Sequence, residues 1–121
     1  MNFADINDIS IHFNYINNGA NKPAVVFSNS LGTDFRIWES CIENLSKDYS
    51  ILTYDKRGHG LSGLGNSPYV INDHVTDLID LMDHLKISEA VLVGLSVGGL
   101  VVQGVYHKRP DLVQGLILCD T

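Results

Sequence analysis

Gly94-Leu95-Ser96-Val97-Gly98 sets one serine between two glycines, and its flanks decide what that serine can do. Ala90-Val91-Leu92-Val93 runs into it as a short apolar stretch with β-branched residues, the pattern of a buried parallel strand. Gly99 to Lys108 leaves it with apolar residues at helical spacing. Strand, Gly-x-Ser-x-Gly and helix in succession make a nucleophile elbow, a tight turn that lifts a serine hydroxyl above the end of a sheet. The glycines serve that geometry, because a strained turn needs residues without a Cβ where strand and helix crowd together. The helix directs its N-terminal N–H groups and positive dipole end at the reacting centre. Ser96 is therefore the candidate nucleophile. A coincidental glycine-rich turn is the competing reading, and it leaves the flanking strand and helix unexplained.

Acyl transfer through a serine also needs donors for the oxyanion, a base, and a group that orients the base. The elbow supplies the backbone N–H of Val97 as one donor. A second is expected from the loop after Ala24-Val25-Val26-Phe27, since chemistry gathers at the carboxyl ends of parallel strands. Within Asn29-Ser30-Leu31-Gly32 the candidate is the N–H of Leu31, with Gly32 permitting the turn. In Asp55-Lys56-Arg57-Gly58-His59-Gly60-Leu61-Ser62, His59 is the best base this chain offers, and Asp55 with Arg57 would form a loop-fixing ion pair. A structural turn competes with a catalytic role for Asp55 and His59, and their loop follows a strand not expected beside 90–93. Beyond Ser96 the histidine is His107, 11 residues along the same helix. At 1.5 Å per residue it lies roughly 16 Å away, too far to serve Ser96. A histidine near a helix C-terminus is better explained by the dipole. Asp111 and Asp120 are the later carboxylates, and Asp120 closes the final strand on the active-site edge.

The elements that must hold these residues are legible from periodicity. Ile9 to Tyr15 alternates strictly, a strand with one buried face. Asn17 to Pro23 is turn chemistry, 24–27 a buried strand, and 28–34 the loop after it. A helix follows with Trp38, Cys41, Ile42 and Leu45 on one side, then a strand from Tyr49 to Tyr54 and a glycine-punctuated loop to Pro68. Ile71 to Leu85 carries apolar residues at 71, 75, 78, 82 and 85, a helical stripe with four aspartates on other faces. Strand 90–93, helix 97–108 and strand 116–119 complete the alternation, which means a parallel α/β sheet.

Composition narrows the class further. At 121 residues the chain has the length of one domain. Its 14 acidic and 8 basic residues give a formal charge of −6, and it has no Lys/Arg-rich run, which argues against nucleic acid as a partner. Met1 to Asp5 has neither the basic nor the apolar region of a secretory signal, and no apolar run approaches the roughly 18 residues of a membrane span. Cys41 and Cys119 have no metal-ligand spacing and read as two reduced thiols. A cytoplasmic protein without a membrane partner is the expectation. Gly94-x-x-x-Gly98-Gly99 matches neither a dinucleotide fingerprint nor a phosphate loop, so a nucleotide-binding domain is rejected.

The order of Asn29-Ser30-Leu31-Gly32, Asp55-x-Arg57-Gly58-His59-Gly60-x-Ser62 and Gly94-x-Ser96-x-Gly98-Gly99 resembles the α/β-hydrolase family. Phe27 to Asp34, Gly94 to Gly99 and Gly115 to Thr121 look more closely like 3-oxoadipate enol-lactonases. Asn29-Ser30 stands where many members carry His-Gly, a departure that spares a backbone oxyanion donor. The resemblance implies that Ser96 attacks the carbonyl of an enol-lactone, opening the ring to an acyl-enzyme that a histidine-activated water releases as 3-oxoadipate. That belongs to the β-ketoadipate branch of aromatic catabolism and needs no metal or organic cofactor. The free carboxylate of such a substrate suits an arginine. Arg36 is the candidate, against simple solvent exposure on a helix. Trp38 is a candidate wall of the acyl pocket, against membership of the core.

The family's chain order is Ser, then Asp/Glu, then His, which puts the acid and histidine beyond Thr121. The resemblance thus implies a mostly parallel α/β-hydrolase sheet truncated after the sixth strand, with helices on both faces and without cap and C-terminal part. The 116–119 strand would be an uncovered apolar edge, inviting self-association or a complementing C-terminal segment. Residues 1–121 alone are expected to be poorly soluble or oligomeric. The leading expectation is a carboxylic-ester hydrolase of the enol-lactonase kind acting on a small lactone or ester. A general esterase or cofactor-free haloperoxidase uses the same elbow, and a non-catalytic binding protein on this scaffold is the alternative from another class.

Overall fold

The computed structural model describes residues 2–19, 22–30, 33–63 and 70–121. In chain order the elements are β1 (Asn2–Ile6), β2 (Ile9–Ile16), β3 (Ala24–Ser28), a 3₁₀ turn (Phe35–Trp38), α1 (Glu39–Leu45), β4 (Ser50–Tyr54), α2 (Ile71–His84), β5 (Ala90–Leu95), α3 (Val97–Lys108), a second 3₁₀ turn (Pro110–Leu112) and β6 (Val113–Cys119). Their strands form one sheet in the order β1-β2-β4-β3-β5-β6. β1 and β2 are antiparallel to each other, and β2 is antiparallel to β4. From β4 to β6 every pairing is parallel. The expected mostly parallel sheet is present, with β4 separated from β5 by β3.

Alternation along the central strands sorts side chains to two faces. Val26, Leu52, Tyr54 and Leu92 join Val75, Leu78 and Met82 of α2 and Val101, Val102 and Val105 of α3 in the larger core. Val25, Phe27, Ile51 and Val93 face the other way and pack with Trp38, Ile42 and Leu45. Helices therefore cover both faces. β6 is the last strand of the sheet, and Ile117 and Leu118 on it are exposed. Among the described residues no helix is long and apolar enough to cross a membrane.

Three local readings are corrected. The single helix expected around Trp38 divides into a 3₁₀ turn and α1, where the Asp34 side chain accepts from the Arg36 N–H and caps the tight first turn. β1 pairs with β2 although its five residues show no periodicity strong enough to stand out from the N-terminus. Asp77 does not lie on a solvent face of α2. It is 2% exposed, and the Arg57 guanidinium grips it with two hydrogen bonds, Nε to Oδ2 at 2.7 Å and Nη2 to Oδ1 at 2.9 Å. Asn7 Nδ2 donates to the same Oδ1 at 3.0 Å. The carboxylate that fixes Arg57 thus comes from α2, 20 residues on. Asp55, the partner expected from the sequence, is instead bonded to His12.

A buried, bidentate pair leaves an uncompensated charge when one partner is removed. Asp77→Ala should cost about 3–5 kcal/mol in chemical denaturation. Asp83→Ala, which breaks the exposed pair with Arg109, should cost less than about 1 kcal/mol. Equal losses in the two variants would contradict this reading of α2.

Candidate active site

β5 ends at Leu95 and α3 begins at Val97, so Ser96 alone makes the reversal between them. Its backbone sits at φ 54°, ψ −116°, a region that a residue with a Cβ occupies at a cost of about 1–3 kcal/mol. Two main-chain bonds hold it there. The Ser96 N–H donates to the Cys119 carbonyl at 2.8 Å, and the Ser96 carbonyl accepts from the Gly99 N–H at 2.9 Å. Ser96 is exposed, while Gly94 and Gly98 on either side are buried. A Cβ on Gly94 would stand 2.5 Å from the Gly98 carbonyl oxygen, and one on Gly98 would stand 2.1 Å from that of Ser28. The two glycines are thus required by the contact between the start of α3 and the ends of β5 and β3.

Val97 is the first residue of α3, so its N–H belongs to the N-terminal set without an intrahelical acceptor. Leu31 and Gly32 lie outside the described residues. Their neighbours are firmly anchored. Asn29 is fully buried, and its Oδ1 accepts from the indole N–H of Trp38 at 2.6 Å. Thr33 Oγ1 donates to the Ser30 carbonyl at 2.9 Å. Trp38 is itself buried and packs on Phe27 with ring centroids 4.7 Å apart. It forms part of the core and also ties down the loop that follows β3.

The side chain that sequence reasoning passed over is Lys56. It is 1% exposed, and its Nζ donates to the carbonyls of Asn29 at 3.0 Å and Ser30 at 3.1 Å. Burial pushes its ammonium down to about 8, with the charge of Asp55 opposing the shift. Burial also lowers the pKa of His74, and the Lys56 charge adds to that shift. The only sequence signal was position, a lysine immediately after the carboxyl end of a central strand.

Asp55 and His59 sit in a tightly knotted loop. Asp55 Oδ2 lies 2.8 Å from His12 Nδ1 and accepts from the Leu61 N–H at 3.1 Å. Ser62 Oγ accepts from the His12 N–H at 2.8 Å and donates to the Asp55 carbonyl. His59 Nδ1 lies 3.1 Å from the Arg57 carbonyl, and its ring meets that of His74 edge-on at 6.3 Å. Among the described residues no histidine is hydrogen-bonded to Ser96. β4, which leads into this loop, pairs with β2 and β3. Asp120 follows β6 beside Ser96's strand and is exposed, with φ at 47°.

Arg36 is exposed and engaged with Asp34, Nε to Oδ1 at 2.9 Å and Nη2 to Oδ2 at 2.7 Å. That hydrogen bonding holds the Asp34 carboxyl at about 2. Both line a shallow depression with Thr33, Ile37 and Gly60. A larger cleft, lined by Tyr15, Lys22, Ser50 and Glu89, opens at the amino ends of the strands, across the sheet from Ser96. Among the described residues no group of His, Cys, Asp and Glu could hold a metal ion.

Comparison with known proteins places this geometry in context. The family model for the alpha/beta hydrolase fold matches residues 23–121. The chain is 39% identical over 112 residues to 3-oxoadipate enol-lactonase 2 of Acinetobacter baylyi, covering 92% of this chain and 42% of that protein. It is 41% identical over 94 residues to 3-oxoadipate enol-lactonase 1 of the same organism, covering 76% and 35%. Among solved structures, the enol-lactonase from Burkholderia xenovorans LB400 superposes with a TM-score of 0.90 at 37% identity, covering 95% of this chain and 45% of that one. The chain spans less than half the length of these relatives.

The Lys56 shift has a consequence for stability. Between pH 8 and 10 the unfolded chain keeps a proton on this lysine that the folded chain releases, so stability rises with pH, by up to ~1.4 kcal/mol per unit. Tyr54 works in the opposite sense above about 10. Its burial raises the phenol's pKa, so there the unfolded chain loses the proton first. Denaturant titrations should show the rise in the native chain and a flatter profile in Lys56→Met. Parallel profiles would contradict the burial of a charged Lys56.

Proposed function

The chain belongs to the alpha/beta hydrolase family, and from that premise we propose that it carries the nucleophile and oxyanion donors of a serine-dependent carboxylic-ester hydrolase. The substrate we propose is 3-oxoadipate enol-lactone, opened to 3-oxoadipate. The names of the relatives support the lactone, and the observation that carries the chemistry is the backbone of Ser96. Its left-handed conformation leaves the residue exposed at the sheet's carboxyl edge, next to the positive end of α3.

In this reading Ser96 Oγ attacks the lactone carbonyl as a histidine takes its proton. The tetrahedral oxyanion is held by the N–H groups of Val97 and Leu31. Collapse expels the ring oxygen as an enolate, a good leaving group that takes up a proton and tautomerises to the ketone. The acyl-enzyme on Ser96 is then cleaved by water under general-base catalysis, which regenerates the hydroxyl and releases the carboxylate. Arg36 is proposed to meet the substrate's free carboxylate by exchanging Asp34 for it, and Trp38 to back the acyl pocket through the loop it anchors. The chain's own residues supply every proposed contact except the base and its orienting acid. The site of action we propose is the cytoplasm.

The test uses the whole protein that contains this chain. A fluorophosphonate should label Ser96 rapidly and stoichiometrically, and Ser96→Ala should abolish labelling. The same variant should lower turnover of the enol-lactone by at least about a thousandfold. Slow, unselective labelling would favour a binding protein on this scaffold, and hydrolysis that survives Ser96→Ala would overturn the assignment.

A further inference from the structure

Lys56 is the one buried lysine of the described core, and among the described residues its ammonium reaches no carboxylate by hydrogen bond. An ammonium taken out of water is costly unless its protons are engaged. Here two of them go to consecutive carbonyls, Asn29 and Ser30, of the loop that follows β3. The same Asn29 is held by its side chain through Trp38, and its carbonyl lies 2.8 Å from where a Gly98 Cβ would stand. Asn29 and Ser30 are therefore held by Lys56, Asn29 also by Trp38, and the Asn29 carbonyl abuts the first turn of the helix that Ser96 opens.

A planar trans peptide directs its C=O and its N–H to opposite sides. A cation that fixes two successive carbonyls fixes the tilt of both peptide planes and polarises them, which strengthens their N–H edges as donors. We propose that Lys56 is a positioning residue for acyl transfer, holding the loop after β3 so that its N–H edge is set toward the oxyanion formed at Ser96. This rests on the hydrolase reading above. Lys56 touches no substrate in this account; it acts through the loop.

The experiment compares native protein, Lys56→Met and Lys56→Gln in the whole protein, with Ser96→Ala as the reference for background. Steady-state hydrolysis of 3-oxoadipate enol-lactone gives kcat and KM, and amide hydrogen exchange follows residues 28–30 beside β5. Lys56→Met should lower kcat by roughly ten- to a hundredfold, short of the loss from removing an oxyanion donor outright. KM should stay within about twofold, and exchange at 28–30 should quicken while β5 keeps its protection. Lys56→Gln retains two N–H donors and should fall between native and Met; it supplies the comparison if the Met variant does not fold. Native kcat in either folded variant, or unchanged exchange at 28–30, would overturn the proposal. Loss of exchange protection throughout β5 would reassign Lys56 to general stability and overturn it as well. Failure of the hydrolase reading is separately visible, because native protein would then hydrolyse the lactone no faster than Ser96→Ala.

Discussion

Most of what this structure can do follows from one crowded contact, where the first turn of α3 presses against the ends of β5 and β3. No side chain fits at 94 or 98, since either Cβ would meet backbone atoms well inside contact distance. With both glycines buried in that contact, the chain has one residue in which to reverse, and Ser96 takes the strained backbone that results. The strain is maintained because the parallel pairing of β5 with β3 and β6 fixes one end and the packing of α3 in the larger core fixes the other. An exposed hydroxyl and unsatisfied helix N–H groups are by-products of that geometry.

The surrounding chemistry holds Asn29 and Ser30, which follow β3, by hydrogen bonds. Asn29 is buried between Trp38, Lys56 and the start of α3; its side-chain oxygen accepts from an indole N–H, and its carbonyl and that of Ser30 accept from an ammonium. Burying a lysine for this purpose costs stability, which its depressed pKa records. On the other side, the Asp55 loop is closed by His12, Leu61 and Ser62, and Arg57 locks it to α2 through Asp77. The D-x-R-G-H-G-x-S segment reads best as a buttress beside the candidate site, with its one carboxylate, Asp55, buried.

The elbow, the parallel sheet and helices on both faces were legible because each leaves a local pattern. Apolar β-branched runs mark β3 and β5, the 3.6-residue stripe marks α2, and glycine spacing marks the turn at Ser96. What escaped depends on partners distant in sequence. Asp77 looks like any helix-surface aspartate until Arg57 is brought under α2, and Lys56 looks like a loop lysine until β3 and β4 become neighbours. β1 earns its place by pairing with β2, and the short 3₁₀ turn before α1 depends on a cap at Asp34 that periodicity does not weigh. Arg36 holds the carboxylate of Asp34, two residues away, a pairing that its type and position leave unannounced.

The proposed chemistry requires the hydroxyl of Ser96 to share its site with main-chain N–H groups that can receive an oxyanion. The most direct measurement is a crystal structure of the whole protein carrying a phosphonate on Ser96. The phosphoryl oxygen should lie about 2.7–3.1 Å from the Val97 nitrogen, with a second backbone N–H from the loop after β3 at similar distance. A phosphoryl oxygen turned to solvent, with neither amide in reach, would contradict it.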